Sequence, residues 1–84
     1  MSGNATMWKQ EAATTLDVRP VLEQGGEPFV QILEAAEAIP AGQSLVLIAP
    51  FEPAPLYSVL GGRGFSHATE QVGPAEWVVR FTRG

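Results

Sequence analysis

The chain of 84 residues has no cysteine, only one histidine and only five basic side chains. The absence of cysteine excludes disulfide bonds, zinc–thiolate sites and thiol chemistry. Because nine acidic residues outnumber the five basic ones and give a net charge of −4, nucleic acid is not expected as the main partner. The longest apolar run, residues 45–50, is far shorter than a membrane span.

The composition that remains is that of one small globular domain, with 45% hydrophobic and 17% charged residues. We predict a flexible, loosely ordered N-terminal leader over residues 1–13 and a single domain over residues 14–84. Trp8 in this leader either docks on a partner or packs weakly on the domain, and weak packing is the favoured interpretation. Since the leader lacks the basic and apolar regions of a secretory signal, a cytoplasmic location is expected.

Hydrophobic periodicity predicts the element order βαβαββ, with strands over residues 14–18, 44–49, 65–72 and 76–82. The first helix begins with Pro28 in its first turn, and the second opens at Glu52-Pro53. Continuous apolarity over residues 45–48 indicates a strand that is central or buried on both faces. Strands joined by a helix are parallel and a hairpin is antiparallel, so we predict an α+β two-layer α/β sandwich with both helices on one face.

The junction before the first predicted helix is the most informative part of the chain. The first strand ends at Arg19-Pro20, and a glycine turn leads into Gly26-Glu27-Pro28-Phe29. A helix start that faces a strand end suits a bound anion or an activated cysteine, but this chain has Glu27 there. Glu27 is either a helix cap or a carboxylate that binds a ligand or partner beside Asp17 and Arg19. The cap is the favoured interpretation, and the two roles are compatible.

Five short segments, taken in order and spacing, resemble the SirA/TusA-like sulfur-carrier superfamily. They are Leu16-Asp17-Val18-Arg19-Pro20, Gly26-Glu27-Pro28-Phe29, Leu45 to Ile48, Glu52-Pro53 and Gly64-Phe65-Ser66-His67. More closely, the chain resembles the cysteine-less branch, the domain of unknown function 2249 family, from about residue 15 to residue 83. This resemblance implies a mixed four-stranded sheet of order 1-2-4-3, in which strand 4 is antiparallel to the others.

The resemblance also bears on activity, because the sulfur carriers open this helix with a Cys-Pro pair whose cysteine holds a persulfide. Glu27 stands at that position here, and a carboxylate cannot accept and donate sulfur. Carrier activity is therefore not expected to transfer. The cysteine-less branch occurs beside hemerythrin-like and other redox domains, which implies a place near sulfur or metal metabolism.

The remaining polar candidates favour structural roles. Asp17 and Arg19 lie two apart on a predicted strand, so they share a side and are expected to form a local salt bridge. His67 has no second histidine or cysteine near it in the sequence and is interpreted as a polar residue of an edge strand. No serine lies in a Gly-x-Ser-x-Gly elbow, so no catalytic residue is predicted. No metal site or cofactor is predicted either.

We therefore expect a non-catalytic binding or regulatory module that docks a protein partner in sulfur or redox/metal metabolism. The alternative is a small-molecule or metal-binding protein, conceivably a weak enzyme, that uses the mouth at the helix start together with His67. Neither nucleic acid nor membrane is an expected partner, and a monomer or weak homodimer is expected. The predicted partner or ligand surface comprises Asp17, Arg19, Gly26, Glu27, Pro28, Phe51, Glu52 and His67.

Overall fold

The computed structural model describes residues 4–84 and shows an α+β fold built on a mixed four-stranded sheet. Residues 1–3 of the predicted leader lie outside the described residues. The strands are β1 (Thr14–Asp17), β2 (Ser44–Ala49), β3 (Phe65–Gly73) and β4 (Glu76–Arg83). The helices are α1 (Ala5–Glu11), α2 (Arg19–Glu23), α3 (Phe29–Glu37) and α4 (Ala54–Gly61).

The strand order is β1-β2-β4-β3, with β1 parallel to β2 and β4 antiparallel to both of its neighbours. The predicted order and the antiparallel direction of strand 4 are thus confirmed. Leu47 pairs with Leu16 on one side and Val79 on the other, so β2 lies at the centre of the sheet.

The main core lies between one face of the sheet and helices α3 and α4. Helix α3 buries Ile32 and Ala36 toward the sheet, while its acidic residues Glu34 and Glu37 are exposed. This division follows the 3.6-residue period of an amphipathic helix. The sheet side of this core is formed by alternate strand residues, namely Leu45, Leu47, Ala49, Phe65, Val79 and Phe81.

Helix α1 covers the opposite face of the sheet, where the sequence analysis expected a loosely ordered leader. Trp8 is only 7% exposed, and Glu70 Oε1 accepts the backbone N–H groups of Asn4 and Ala5 at 2.7 and 3.0 Å. Residues 5–11 therefore form a packed helix and not the loosely ordered segment that was expected. The boundary between a leader (residues 1–13) and a domain (residues 14–84) stays a prediction. The second core cluster comprises Ala5, Trp8, Val46, Ile48 and Val78.

The segment after β1 also differs from expectation, because residues 19–23 form the short helix α2 and not a loop. β1 ends at Asp17, one residue before the predicted end, and Pro20 occupies the first turn of α2, where a missing N–H costs no hydrogen bond. None of the helices formed by residues 4–84 reaches the length and hydrophobicity of a membrane-spanning helix.

Candidate functional site

An apolar pocket of about 180 Å³ opens at the carboxyl ends of β1 and β2, beside the first turns of α3 and α4. Val18 follows β1 and Ala49 ends β2, so the pocket lies where the chain leaves the two parallel strands and enters the helices that follow them. Ligands of open α/β sheets bind at this edge. The buried lining residues are Val18, Pro28, Ile32, Leu47, Ala49, Pro53 and Leu56.

Two aromatic side chains at the rim remain exposed to solvent. Phe51 is 54% exposed and Phe29 is 38% exposed, and both line the pocket. Phe29 is the first residue of α3, and this position leaves its side chain at the pocket mouth. Phe51 belonged to the predicted surface, and the structure places it, Glu27 and Pro28 around one cavity.

Among residues 4–84, Glu27 is the one polar side chain that lines the pocket. Its Oε1 accepts the backbone N–H of Phe29 at 2.8 Å, and Phe29 is the first residue of α3. This bond satisfies one of the N–H groups that a helix start leaves without a partner, which supports the capping interpretation. The carboxylate also borders the cavity, so one side chain both caps the helix and faces the pocket.

Gly26 positions Glu27 through a close contact with α2. Its N–H donates to the carbonyl of Val21 at 2.8 Å. A Cβ at this position would lie 2.8 Å from Val21 Cγ1 and 3.0 Å from the Val21 carbonyl oxygen. Glycine is required here because the backbone passes too close to α2 for any side chain.

Asp17 and Arg19 form the predicted salt bridge, but they do so away from the pocket. Arg19 donates to both carboxylate oxygens of Asp17 at 3.0 and 2.8 Å, and its guanidinium lies 3.6 Å from Glu76. Asp17 pairs with Ile48, which packs under α1, so the carboxylate lies on the α1 face of the sheet. Because Arg19 belongs to α2, the expectation that the pair shares one side of a strand was wrong. The hydrogen bond from Arg19 lowers the pKa of Asp17 below its ordinary value.

His67 and Glu52 both contact Tyr57, a residue that the sequence analysis did not select. The His67 ring stacks on the Tyr57 ring with centroids 3.8 Å apart. The Tyr57 hydroxyl donates to Glu52 Oε2 at 3.1 Å and lies 2.6 Å from Thr69 Oγ1. Burial raises the pKa of Tyr57. His67 does not line the pocket, and residues 4–84 contain no group of three metal-ligating side chains that could hold an ion.

The predicted surface is thus divided among three places. The pocket brings together Glu27, Pro28 and Phe51, with Gly26 beside them in the chain. Asp17 and Arg19 lie on the α1 face. Glu52 and His67 meet at Tyr57 on α4.

A family model described as "Uncharacterized conserved protein (DUF2249)" matches residues 15–83. No curated protein and no solved structure matches the chain. The matched range contains every residue of the pocket and leaves out helix α1. Since this match covers most of the 84 residues, the chain belongs to the DUF2249 family of uncharacterised conserved proteins.

Proposed function

We propose that the chain is a non-catalytic docking module whose pocket receives one apolar side chain of a protein partner. The observation that carries this proposal is the pair of exposed aromatic residues, Phe29 and Phe51, at the mouth of an otherwise apolar cavity. Exposed aromatic side chains around a concave apolar site are typical of binding surfaces.

The size of the pocket favours a single side chain over a cofactor or metabolite. Small-molecule sites usually enclose about 300–1,000 Å³, whereas this pocket holds about 180 Å³. Anchor side chains that fill such pockets supply much of the binding energy at protein interfaces.

The chemistry of the lining favours recognition over catalysis. Within the described part of the chain, Glu27 is the only ionisable group on the pocket wall, and its carboxylate already accepts a backbone N–H. A nucleophile would need an activating base within hydrogen-bond reach, and no serine, threonine, lysine or histidine of residues 4–84 lines the wall.

On this proposal the chain is a sulfur-carrier-like scaffold that has kept a recognition surface without the reactive thiol. The strand order and the position of Glu27 directly before Pro28, the N-cap of α3, support the kinship with the SirA/TusA-like superfamily. A cytoplasmic role beside sulfur or redox/metal proteins follows from that kinship and is part of the proposal.

Site-specific photo-crosslinking in cells of the source organism tests the proposal. The photoreactive amino acid p-benzoylphenylalanine replaces Phe51 in one variant and Met7 in the other. Both positions are 54% exposed, but Met7 lies on α1, on the other face of the sheet. We expect a discrete protein adduct from position 51 that is absent from position 7 and is identified by mass spectrometry. Equal adducts from both positions, or none from position 51, would contradict a docking role for the pocket.

A further inference from the structure

Building on the proposed function, we infer that the pocket selects a basic partner segment, in which an apolar anchor residue is flanked by lysine or arginine. The shape of the pocket alone does not define the chemistry of the partner, but the positions of the charged side chains relative to the pocket do.

Three of the five basic side chains lie on the α1 face of the sheet, away from the pocket. Lys9 lies 3.5 Å and Arg19 3.6 Å from the carboxylate of Glu76. The Arg80 guanidinium lies over the ring of Trp8, 5.1 Å from its centroid. These contacts hold the three cations against groups of the protein itself.

The other two basic side chains lie at the far end of α3. Arg63 forms a 3.2 Å ion pair with Glu37, the last residue of that helix. Arg83 donates to the backbone carbonyls of Ala36 and Ile39, which close the same helix end. The pocket is at the first turn of α3, so no basic side chain of the chain borders it.

The charge at the pocket is therefore negative. Glu27 borders the cavity and forms no ion pair within residues 4–84. Glu52 directly follows the rim residue Phe51; its carboxylate accepts a hydrogen bond from a neutral phenol, Tyr57, and forms no ion pair with any of the described residues. With a net charge of −4 for the whole chain, a cationic segment is attracted and an acidic one repelled.

Apolar contacts and charge thus have separate roles at this site. The cavity binds the anchor side chain, and a lysine or arginine next to the anchor in the partner lies opposite Glu27. Electrostatic complementarity of this kind governs which partner is selected more than how tightly it binds. An exposed ion pair changes affinity by about 0.2–1 kcal/mol, or about 1.4- to 5-fold.

Four blocked pentapeptides test the inference at neutral pH and low salt, with binding followed by amide NMR shifts of the full chain. Three peptides have a central leucine flanked on both sides by lysine, by serine or by glutamate. The fourth has lysine flanks and a central alanine. We expect shifts at Glu27, Phe29 and Phe51 with the lysine–leucine peptide at millimolar concentration. The serine peptide should bind a few-fold more weakly, and the glutamate and alanine peptides more weakly still.

Glu27→Gln and Glu34→Gln form a matched pair of variants. Each removes one negative charge from the α3 region, but only Glu27 borders the pocket, since Glu34 is exposed on the outer side of the helix. Glutamine at position 27 keeps an oxygen that can accept the Phe29 N–H, so the cap is preserved. Glu27→Gln should reduce the preference for lysine over serine flanks about 1.4- to 5-fold, and Glu34→Gln should leave it unchanged.

Two results would overturn the inference. One is equal affinity of the parent protein for the lysine and serine peptides; the other is the absence of shifts at the pocket with the lysine–leucine peptide. Equal effects of the two variants would mean that the preference reflects net charge alone, which also contradicts a role for Glu27. The crosslinking at Phe51 does not depend on peptide charge, so a docking pocket can be established even where this inference fails.

Discussion

Replacing Trp8 with alanine is expected to cost the protein a large part of its stability, because α1 is anchored by this side chain. Trp8 is 7% exposed and packs with Val46, Ile48 and Val78 on the second face of the sheet. Removing a buried tryptophan costs about 3–5 kcal/mol, since both the transfer free energy and the packing are lost. We expect about 3 kcal/mol here, because the seven-residue helix can partly collapse onto the vacated space.

This loss is large for a domain of this size. Native domains are stable by about 0.05–0.15 kcal/mol per residue, which for 84 residues amounts to roughly 4–13 kcal/mol. Each 1 kcal/mol shifts the Tm of such a domain by roughly 4–8 °C, so ~3 kcal/mol lowers it by roughly 12–24 °C. The loss of the Arg80 contact with the indole ring adds to this effect.

Urea unfolding followed by far-ultraviolet circular dichroism measures the change without relying on the fluorescence of the residue removed. Met7→Ala is the matched control, because Met7 is on the same helix but is 54% exposed. Its free energy of unfolding should change by less than about 0.5 kcal/mol. If Trp8→Ala and Met7→Ala unfold with the same free energy, α1 does not pack on the sheet and the second core cluster is not formed.

Further predictions concern the two segments that flank α2. Gly26→Ala should lower the free energy of unfolding by about 1–3 kcal/mol, because the new Cβ would lie 2.8 Å from Val21 Cγ1. Gly61→Ala, whose Cβ meets nothing within 4 Å, is the control and should be neutral or slightly stabilising in the same urea titration. Asp17→Asn should destabilise the protein at neutral pH by at most about 1 kcal/mol, since the Arg19 salt bridge is partly exposed. Arg19 lowers the folded pKa of Asp17, so this stabilisation is present above the unfolded pKa of about 3.9 and is lost as the pH falls through the folded pKa. A difference between Asp17→Asn and the parent protein that persists unchanged in urea titrations at acid pH would contradict this assignment.

Local signals in the sequence were sufficient for most of the fold. The apolar run of β2 defined that strand with the same bounds as in the structure, residues 44–49. Proline marked the starts of α3 and α4, although Pro28 is the N-cap of α3 and does not lie in its first turn. A proline signal at Pro20 was interpreted only as a strand end, so α2 was missed. The order of the strands came from the family resemblance, because sequence spacing alone does not specify which strands are neighbours.

The candidate site was harder to predict because its members are brought together by the sheet. Strand alternation places Leu16 on one face of β1 and Asp17 on the other, and Leu16 packs with the core under α3 and α4. Asp17 therefore had to face away from the pocket that Glu27 borders. The stacking of His67 on Tyr57 depends on the position of α4 over β3, and no local pattern encodes that contact.

The same reasoning explains why α1 should have been expected. Residues 45–48 are apolar on both faces of β2, and all four are buried. The two predicted helices cover only one face of the sheet. Val46 and Ile48 lie on the other face and need a second layer of structure to shield them from water. The N-terminal leader was the one segment for which no packing site on the sheet was predicted. Apart from methionine, its large hydrophobic residue is Trp8. A strand that is apolar at every position thus predicts a third layer, and in this chain a helix outside the family match supplies it.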